Sequence, residues 1–254
     1  MTTPVEPWQR PAHQPTGRKA SVMLVVFTDG AVLTDLDLAG VVPASAPVDA
    51  LDVRVHSYAE NPEWIDGWRT GPLRNLAARE LPDPAALDAA TFCYTIQVSV
   101  TDPADLTHLQ LAWAVAAAVC RAGAIAVLDA FAHDWSPASV VAGLDPHRPF
   151  TVIREVSVVA EAEVAAGFGH PVHTRGMTKF GRPDLITGIP GERIGEAATV
   201  LNQLAAMLAD GHVLAPGQQI RIDGERTLTV VPYVPDDRIP DVSLIDDGLL
   251  LTEA

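Results

Sequence analysis

A thirteen-residue segment in the second half of the chain concentrates residue types that can do chemistry. It runs from His173 to Leu185 with the sequence HTRGMTKFGRPDL, and it combines cations, a histidine and an aspartate with two glycines. Cationic side chains that converge bind a carboxylate or a phosphate. Gly176 and Gly181 permit backbone bends or the close approach of another group. The segment therefore predicts a binding site for a small anion.

Five side chains form the predicted ligand-binding set: His173, Arg175, Lys179, Arg182 and Asp184. The three cations would hold the negative charge, and the histidine or the aspartate would act as acid or base if the anion is a substrate. A second interpretation stays open. In it, Arg175 and Lys179 pair with carboxylates of the protein itself, and the Gly-x-Pro sequence ends a strand.

This segment resembles a signature of uncharacterised bacterial domains of unknown function. In those domains a strand carries His-Thr-x-Gly followed by Met or Leu, and then Phe-Gly-x-Pro followed by an acidic residue. Met177 and Asp184 satisfy the two variable positions. The resemblance extends over about residues 90–215, and it implies a bacterial protein without supplying any catalytic residue.

Metal and cofactor chemistry have weaker support in the sequence. His170 and His173 would need a distant third ligand, such as His133, Asp134 or Asp184, and they lack the four-residue spacing of helical zinc pairs. We found no Gly-x-Ser-x-Gly motif, no phosphate-binding loop ending in Gly-Lys-Ser/Thr and no dinucleotide-binding Gly-x-Gly-x-x-Gly turn. We therefore predict no metal and no cofactor.

Composition limits the partners and the compartment. The net charge of −15 disfavours nucleic acid and an anionic membrane surface, because both would be repelled. The longest apolar run, Leu111–Cys120, is too short to span a bilayer and predicts a buried helix. Cys93 and Cys120 lie among apolar neighbours, as small buried thiols do. We expect a cytoplasmic protein.

The first half of the chain predicts strands at 22–28 and 53–58 and a strand–helix–strand unit across residues 92–131. In that unit, Asp102 would cap a helix beginning at Pro103, and Asp105 would occupy its third position. Upstream, the stretch Glu63–Arg74 contains Trp64 and Trp68. It predicts either an exposed aromatic patch for a protein partner or a loop folded over the core.

The second half predicts an alternating strand over 150–160, a helix over 194–210 and C-terminal hairpins, one around residues 223–226 and another near 246–248. The whole is an α+β fold, a mixed sheet with helices packed on it. We expect a flexible tail over residues 1–20 and one compact domain over 21–254, with a two-lobe split as an alternative near 133–149, where turn formers concentrate.

These observations favour a non-catalytic binding or interaction module, acidic and cytoplasmic, whose partner is another protein or a small anion. The alternative is a hydrolase or transferase acting on an anionic small molecule.

Overall fold

The computed structural model describes residues 3–30, 38–162, 164, 166–222, 226–234 and 248–253. The chain divides into two compact units, the first formed by Met1–Gln9 with Ser21–Phe150 and the second by Arg10–Ala20 with Thr151–Ala254. The division falls just after the turn-rich region at 133–149. Each unit contains a sheet with helices packed on it, which confirms the α+β class.

The described part of the first unit contains a five-stranded sheet with the order β2-β3-β1-β4-β5. Its strands are β1 (Lys19–Thr28), β2 (Leu51–Ser57), β3 (Phe92–Thr101), β4 (Ala124–Asp129) and β5 (Asp134–Pro137). Its helices are α1 (Pro62–Arg69), α2 (Gly71–Glu80), α3 (Thr107–Arg121) and α4 (Ala138–Ala142), with 3-10 turns at Val48–Ala50 and Pro84–Ala89.

The predicted strand–helix–strand unit is confirmed as β3–α3–β4, with β1 inserted between its two strands. β1 pairs antiparallel with β4. The hydroxyl groups of Ser21 and Ser99 are hydrogen-bonded, and Thr91 donates its N–H to the carbonyl of Thr28. The start of β1 thus lies beside the end of β3 and its end beside the start of β3, so the two strands are antiparallel. The strands β3 and β4 are therefore parallel to each other.

Helix α3 begins later than the sequence indicates. We predicted a start at Pro103, but Asp102 has a φ of 46° and the helix starts at Thr107. The intervening backbone pairs with the N-terminal segment instead, since Leu106 donates its N–H to the carbonyl of Trp8. Asp105 still stabilises the helix start, because its carboxylate accepts hydrogen bonds from the N–H and hydroxyl of Thr107 at 3.0 and 2.7 Å.

Residues 3–20, where the sequence predicts a flexible tail, have specific contacts in the structure. Trp8 is buried; its backbone N–H donates to Gln110 Oε1 at 2.9 Å, and its indole N–H donates to the carbonyl of Arg148 at 2.8 Å. Arg10, which belongs to the second unit, is also buried. An indole and a guanidinium have enough apolar surface and donors to anchor a proline-rich segment.

The two cysteines are free and buried, and burial raises the pKa of each thiol to about 12. The thiolate is the reactive form, so neither cysteine should react at neutral pH while the protein is folded. We expect a disulfide reagent such as DTNB to label no thiol in the native protein and both thiols in strong denaturant. Rapid labelling of the native protein would contradict this burial.

The described part of the second unit contains a six-stranded sheet with the order β6-β7-β8-β11-β10-β9. Its elements are β6 (Ser157–Ala160), β7 (His170–Arg175), β8 (Asp184–Ile189), α5 (Ile194–Ala209), β9 (Gln219–Arg221), β10 (Thr227–Pro232) and β11 (Gly248–Glu253), with 3-10 turns at Val152–Arg154, Met177–Phe180 and Gly191–Arg193. The pairing of β8 with β11 is parallel, and the others are antiparallel.

Several elements of this unit match the sequence analysis. α5 confirms the predicted helix, and β9 pairs antiparallel with β10 on either side of residues 223–225. The predicted strand over 150–160 is shorter, because a 3-10 turn at Val152–Arg154 precedes β6. Residues 223–225 and 235–247, which include the other predicted turn at Asp246-Asp247, lie outside the described residues.

In the described part of the chain, we find no helix long and apolar enough to cross a membrane.

Candidate functional site

The segment 173–184 connects two neighbouring strands of the second unit. β7 ends at Arg175, a 3-10 turn follows, and β8 begins at Asp184. Gly176 and Gly181 flank that turn with φ values of 107° and 61°, a conformation that favours glycine. The two glycines therefore make the reversal possible, and the side chains between them point into the unit, where Met177, Lys179 and Phe180 are fully buried.

Asp184 fixes the geometry of this reversal. Its Oδ1 accepts hydrogen bonds from the hydroxyl of Thr174 at 2.8 Å and from the N–H of Met177 at 3.2 Å. The same hydroxyl accepts a bond from the N–H of Leu185 at 2.9 Å. The carboxylate and the hydroxyl thus satisfy backbone groups where β7 leaves the sheet and β8 enters it.

Lys179 forms a buried ion pair. Its Nζ lies 3.1 Å from Glu155 Oε2, and the two side chains are 0% and 1% exposed. Removing one member of a buried ion pair destabilises the fold, because the other charge then stays in a medium of low polarity without its counter-ion. This ammonium is therefore already committed to a carboxylate of its own unit.

Arg182 binds backbone carbonyls. Its guanidinium donates to the carbonyl oxygens of Gly211, His212, Gln14 and Gly181 at 2.7–3.2 Å, and to the hydroxyl of Thr16 at 3.3 Å. Gly211 and His212 follow the C-terminus of α5, where carbonyl groups lack helical partners and a positive charge is favourable. Arg182 thus attaches residues 14–16 to the end of that helix.

Arg10 acts on the same helix end. Its guanidinium donates to the carbonyl oxygens of Ala209, Leu208 and Phe180 at 2.9–3.3 Å. The sequence analysis did not single out Arg10, because the surrounding prolines indicated a tail. Its place beside a helix terminus depends on contacts with residues nearly two hundred positions away, and no local pattern signals them.

His173 and Arg175 meet at one carboxylate that the sequence analysis also missed. Glu161 Oε1 lies 2.9 Å from His173 Nε2 and 3.6 Å from an Arg175 nitrogen. His173 Nδ1 lies 3.1 Å from the carbonyl of Thr174. Both partners of the ring are acceptors, so a doubly protonated imidazole satisfies both contacts and a neutral one satisfies a single contact. Glu161 and Arg175 are 29% and 16% exposed, so this cluster reaches the solvent.

The five predicted residues therefore do not share one set of partners. His173 and Arg175 come together at Glu161, whereas Lys179, Arg182 and Asp184 each have partners of their own within the second unit. Chemically, the first arrangement can hold or transfer a proton beside a guanidinium, and the others hold backbone and carboxylate groups in place. That the five bind a ligand stays a prediction.

Metal binding has no geometric support among the residues the structure describes, where no group of three or more His, Cys, Asp and Glu side chains is placed to hold an ion. His170 and His173 lie on opposite faces of β7, because a spacing of three reverses the side-chain direction along a strand. His170 Nδ1 instead lies 3.2 Å from the carbonyl of Glu161.

A shallow groove in the first unit is lined by Trp8, Trp113, Gln110 and Arg148 among others. The Arg148 guanidinium lies over the Trp8 ring at 4.9 Å, and Trp8 also packs against Phe150. Its polar and aromatic walls are thus in contact with one another. The groove therefore marks where the N-terminal segment packs against the rest of the first unit.

The stretch Glu63–Arg74 forms α1 and the start of α2 rather than a loop. Trp68 packs against the core of the first unit, whereas Trp64 remains 41% exposed. Trp64 stacks on His56 of β2 with ring centres 5.0 Å apart. The exposed aromatic therefore lies beside the outer strand of the sheet.

His56 gives this region a pH response. Burial, together with the nearby Arg54 cation, lowers the pKa of His56 below its usual 6.5, and its Nε2 is buried without a hydrogen-bond partner among the described residues. The unfolded chain therefore binds the proton more readily, and this residue's contribution lowers stability as pH falls below about 6.5. We expect the loss of unfolding free energy between pH 7.5 and 5.5 to be smaller in His56→Gln than in the wild type. Equal losses in urea titrations would contradict the lowered pKa.

Comparison with known proteins gave no relative: no family model, no curated protein and no solved structure matches this chain.

Proposed function

We propose that this chain is a non-catalytic interaction module that binds a protein partner along the exposed edge of the first unit's sheet. We call this surface the β2 edge and define it by Val53 and Val55 of β2 and Trp64 of α1. The observation that carries the proposal is the exposure of these three apolar side chains, which is 38%, 41% and 41%. Val53 and Val55 lie on one face of β2, the outermost strand of the described sheet, and Trp64 stacks on His56, whose side chain points to the other face of that strand.

An outermost strand offers unpaired backbone groups to another chain, and proteins that avoid such pairing protect it with charged side chains, prolines, bulges or very short strands. β2 has seven residues, contains no proline and pairs with β3 in an unbroken register from Leu51↔Val98 to Ser57↔Phe92. Its two charged side chains, Asp52 and Arg54, have opposite signs and pair with each other, so the strand carries no net charge that would repel a partner. β-branched residues on its exposed face favour a further extended segment. These features suit a partner that adds a strand.

The charged side chains of the segment 173–184 already have partners within the second unit, and this supports the non-catalytic part of the proposal. Lys179, Arg182 and Asp184 are each at most 2% exposed and are held by groups of their own unit. A substrate anion would have to displace these buried contacts, at the cost of leaving carbonyl and carboxylate groups unpaired. We also propose a cytoplasmic location, which the two free, buried thiols support. The net charge of −15 supports a partner that is neither nucleic acid nor a membrane.

One observation favours the alternative, a hydrolase or transferase acting on an anionic small molecule. Glu161 contacts both His173 and Arg175 and reaches the solvent, so an acid–base pair lies beside a guanidinium. In that function, Arg175 would bind the anion and the Glu161–His173 pair would move a proton.

The proposed function is tested by comparing the proteins retained by three immobilised chains. Val55→Lys places a charge on the β2 edge, and Val140→Lys places the same charge on α4 of the same unit, at a valine that is 49% exposed. We expect a partner that is retained by the wild type and by Val140→Lys but lost with Val55→Lys. A retained set that is identical for all three chains, from an extract that also contains the soluble wild-type chain, would contradict binding at the β2 edge.

A further inference from the structure

We infer that the β2 edge pairs with the β2 edge of a second copy of this chain, as two antiparallel strands with Val53 on the two-fold axis. This inference rests on the proposed function, since it names the partner of the same surface. It depends on three properties of β2: the direction of its backbone groups, the side chains on each face, and the order of its charges.

The backbone direction follows from one hydrogen bond beyond the end of β2. Tyr58 donates its N–H to the carbonyl of Thr91 at 2.7 Å, so its backbone faces β3. Because this direction alternates along a strand, the backbone groups of Leu51, Val53 and Val55 face away from β3. The N–H of Leu51 already donates to Val48, which leaves its carbonyl facing outward.

These outward groups complement themselves when Val53 lies on the axis. Each Val53 would donate its N–H to the carbonyl of the other, and each Val55 would donate to the carbonyl of Leu51 in the second copy. Four backbone hydrogen bonds result. The sheets of the first unit in the two copies would then continue into each other through their β2 strands.

The charges on β2 fit this register. Asp52 and Arg54 point to the same face of the strand, with side chains that are 47% and 69% exposed, and they form an ion pair at 2.7 Å. With Val53 on the axis, Asp52 of each copy lies directly opposite Arg54 of the other. Such positions bring side chains closest together in antiparallel strands, and opposite charges there are stabilising.

The neighbouring registers are unfavourable. An axis through Arg54 would place two guanidinium groups opposite each other, and an axis through Asp52 would place two carboxylates opposite each other. On the other face, the register through Val53 places Val53 opposite its copy and Val55 opposite Leu51, so each exposed valine gains an apolar neighbour across the two strands. Charge and apolar surface therefore select the same alignment.

We expect a weak dimer. Strand pairing of this length covers less than the roughly 800 Å² per partner of a stable interface, which suggests a dissociation constant on the order of 10 µM. Each copy carries a net charge of −15. At 0.15 M salt the Debye length is about 8 Å, so repulsion between the averaged charges is screened while neighbouring residues across the strands still interact.

Sedimentation equilibrium of the full chain at about 1–300 µM and 0.15 M salt tests the pairing. We expect the wild type to dimerise. Asp52→Arg gives every strand two cations at these positions, and Arg54→Asp gives it two carboxylates. Each variant alone should therefore dimerise about tenfold more weakly. An equimolar mixture of the two should regain the wild-type association, since every facing pair is then oppositely charged.

The control is Val140→Glu, an exposed substitution on α4 that should leave association unchanged. Circular dichroism would first confirm that both variants fold. A wild type that stays monomeric over this range, or a mixture that associates no more strongly than either variant alone, would overturn the inference. If the wild type is monomeric but retains a different protein that Val55→Lys does not retain, the proposed function stands and the second copy is excluded as the occupant of the β2 edge. A monomer that captures nothing through this edge would overturn both.

Discussion

Replacing Lys179 with methionine should lower the free energy of unfolding by about 3–5 kcal/mol. The substitution removes the cation that pairs with Glu155, a carboxylate that is only 1% exposed, and breaking a buried ion pair in this way is strongly destabilising. Methionine fills most of the volume of the lysine stem, so the loss reports the missing charge rather than a large cavity. Urea titration followed by circular dichroism measures the effect.

Two further variants identify its cause. Lys179→Met combined with Glu155→Leu should recover most of the loss, because replacing both members of a buried pair by apolar groups is often neutral. Arg193→Met removes two more exposed ion pairs of the same unit, with Glu196 and Glu253, which are 40% and 49% exposed, and should cost no more than about 1 kcal/mol. A single Lys179→Met variant as stable as the wild type would show that the pair does not hold the fold.

Replacing Arg182 with alanine should cost about 4 kcal/mol, because several donors are lost at once. The carbonyl groups of Gly211, His212 and Gln14 would lose a charged donor, and a hydrogen bond to a charged group contributes about 1.5–3 kcal/mol. The same titration measures the loss.

Arg182→Lys should restore less than half of that stability, since an ammonium cannot reproduce the planar set of donors. Arg221→Ala, an exposed arginine on β9, should change stability by no more than about 0.5 kcal/mol. If Arg182→Ala were as stable as this control, the guanidinium would be free for a ligand, as the anion interpretation requires.

The sequence analysis was most successful where the pattern is local. The strand–helix–strand unit and α5 have apolar periodicity and end signals that do not depend on the rest of the chain. The start of α3 was misplaced because a distant segment pairs with the residues after Asp102 and replaces the first helical turn. The proline-rich N-terminus gave no sign that Trp8 and Arg10 would be buried.

The candidate site shows the same division. The composition of 173–184 identified a specialised segment, and Gly176 and Gly181 do make the expected bends. The partners of its charges, Glu155 and Glu161, lie on or beside β6, where an alternating strand gives no reason to choose one carboxylate over another. The same residue types that bind an anion at a surface also anchor a buried turn. Only the placement of their partners separates the two uses.

The thermal midpoint measured with and without small anions tests the central claim most directly, that the chain is a non-catalytic interaction module. Phosphate, nucleotides and small carboxylates would each be added to the wild type and to Arg175→Ala. A ligand at about a hundred times its dissociation constant adds about 2.7 kcal/mol, or roughly 5–10 °C for a chain of this size. We predict a change of less than about 1 °C with every anion. A rise of that larger size with one anion, absent in Arg175→Ala, would contradict the account and favour an enzyme or anion-binding protein that uses Arg175.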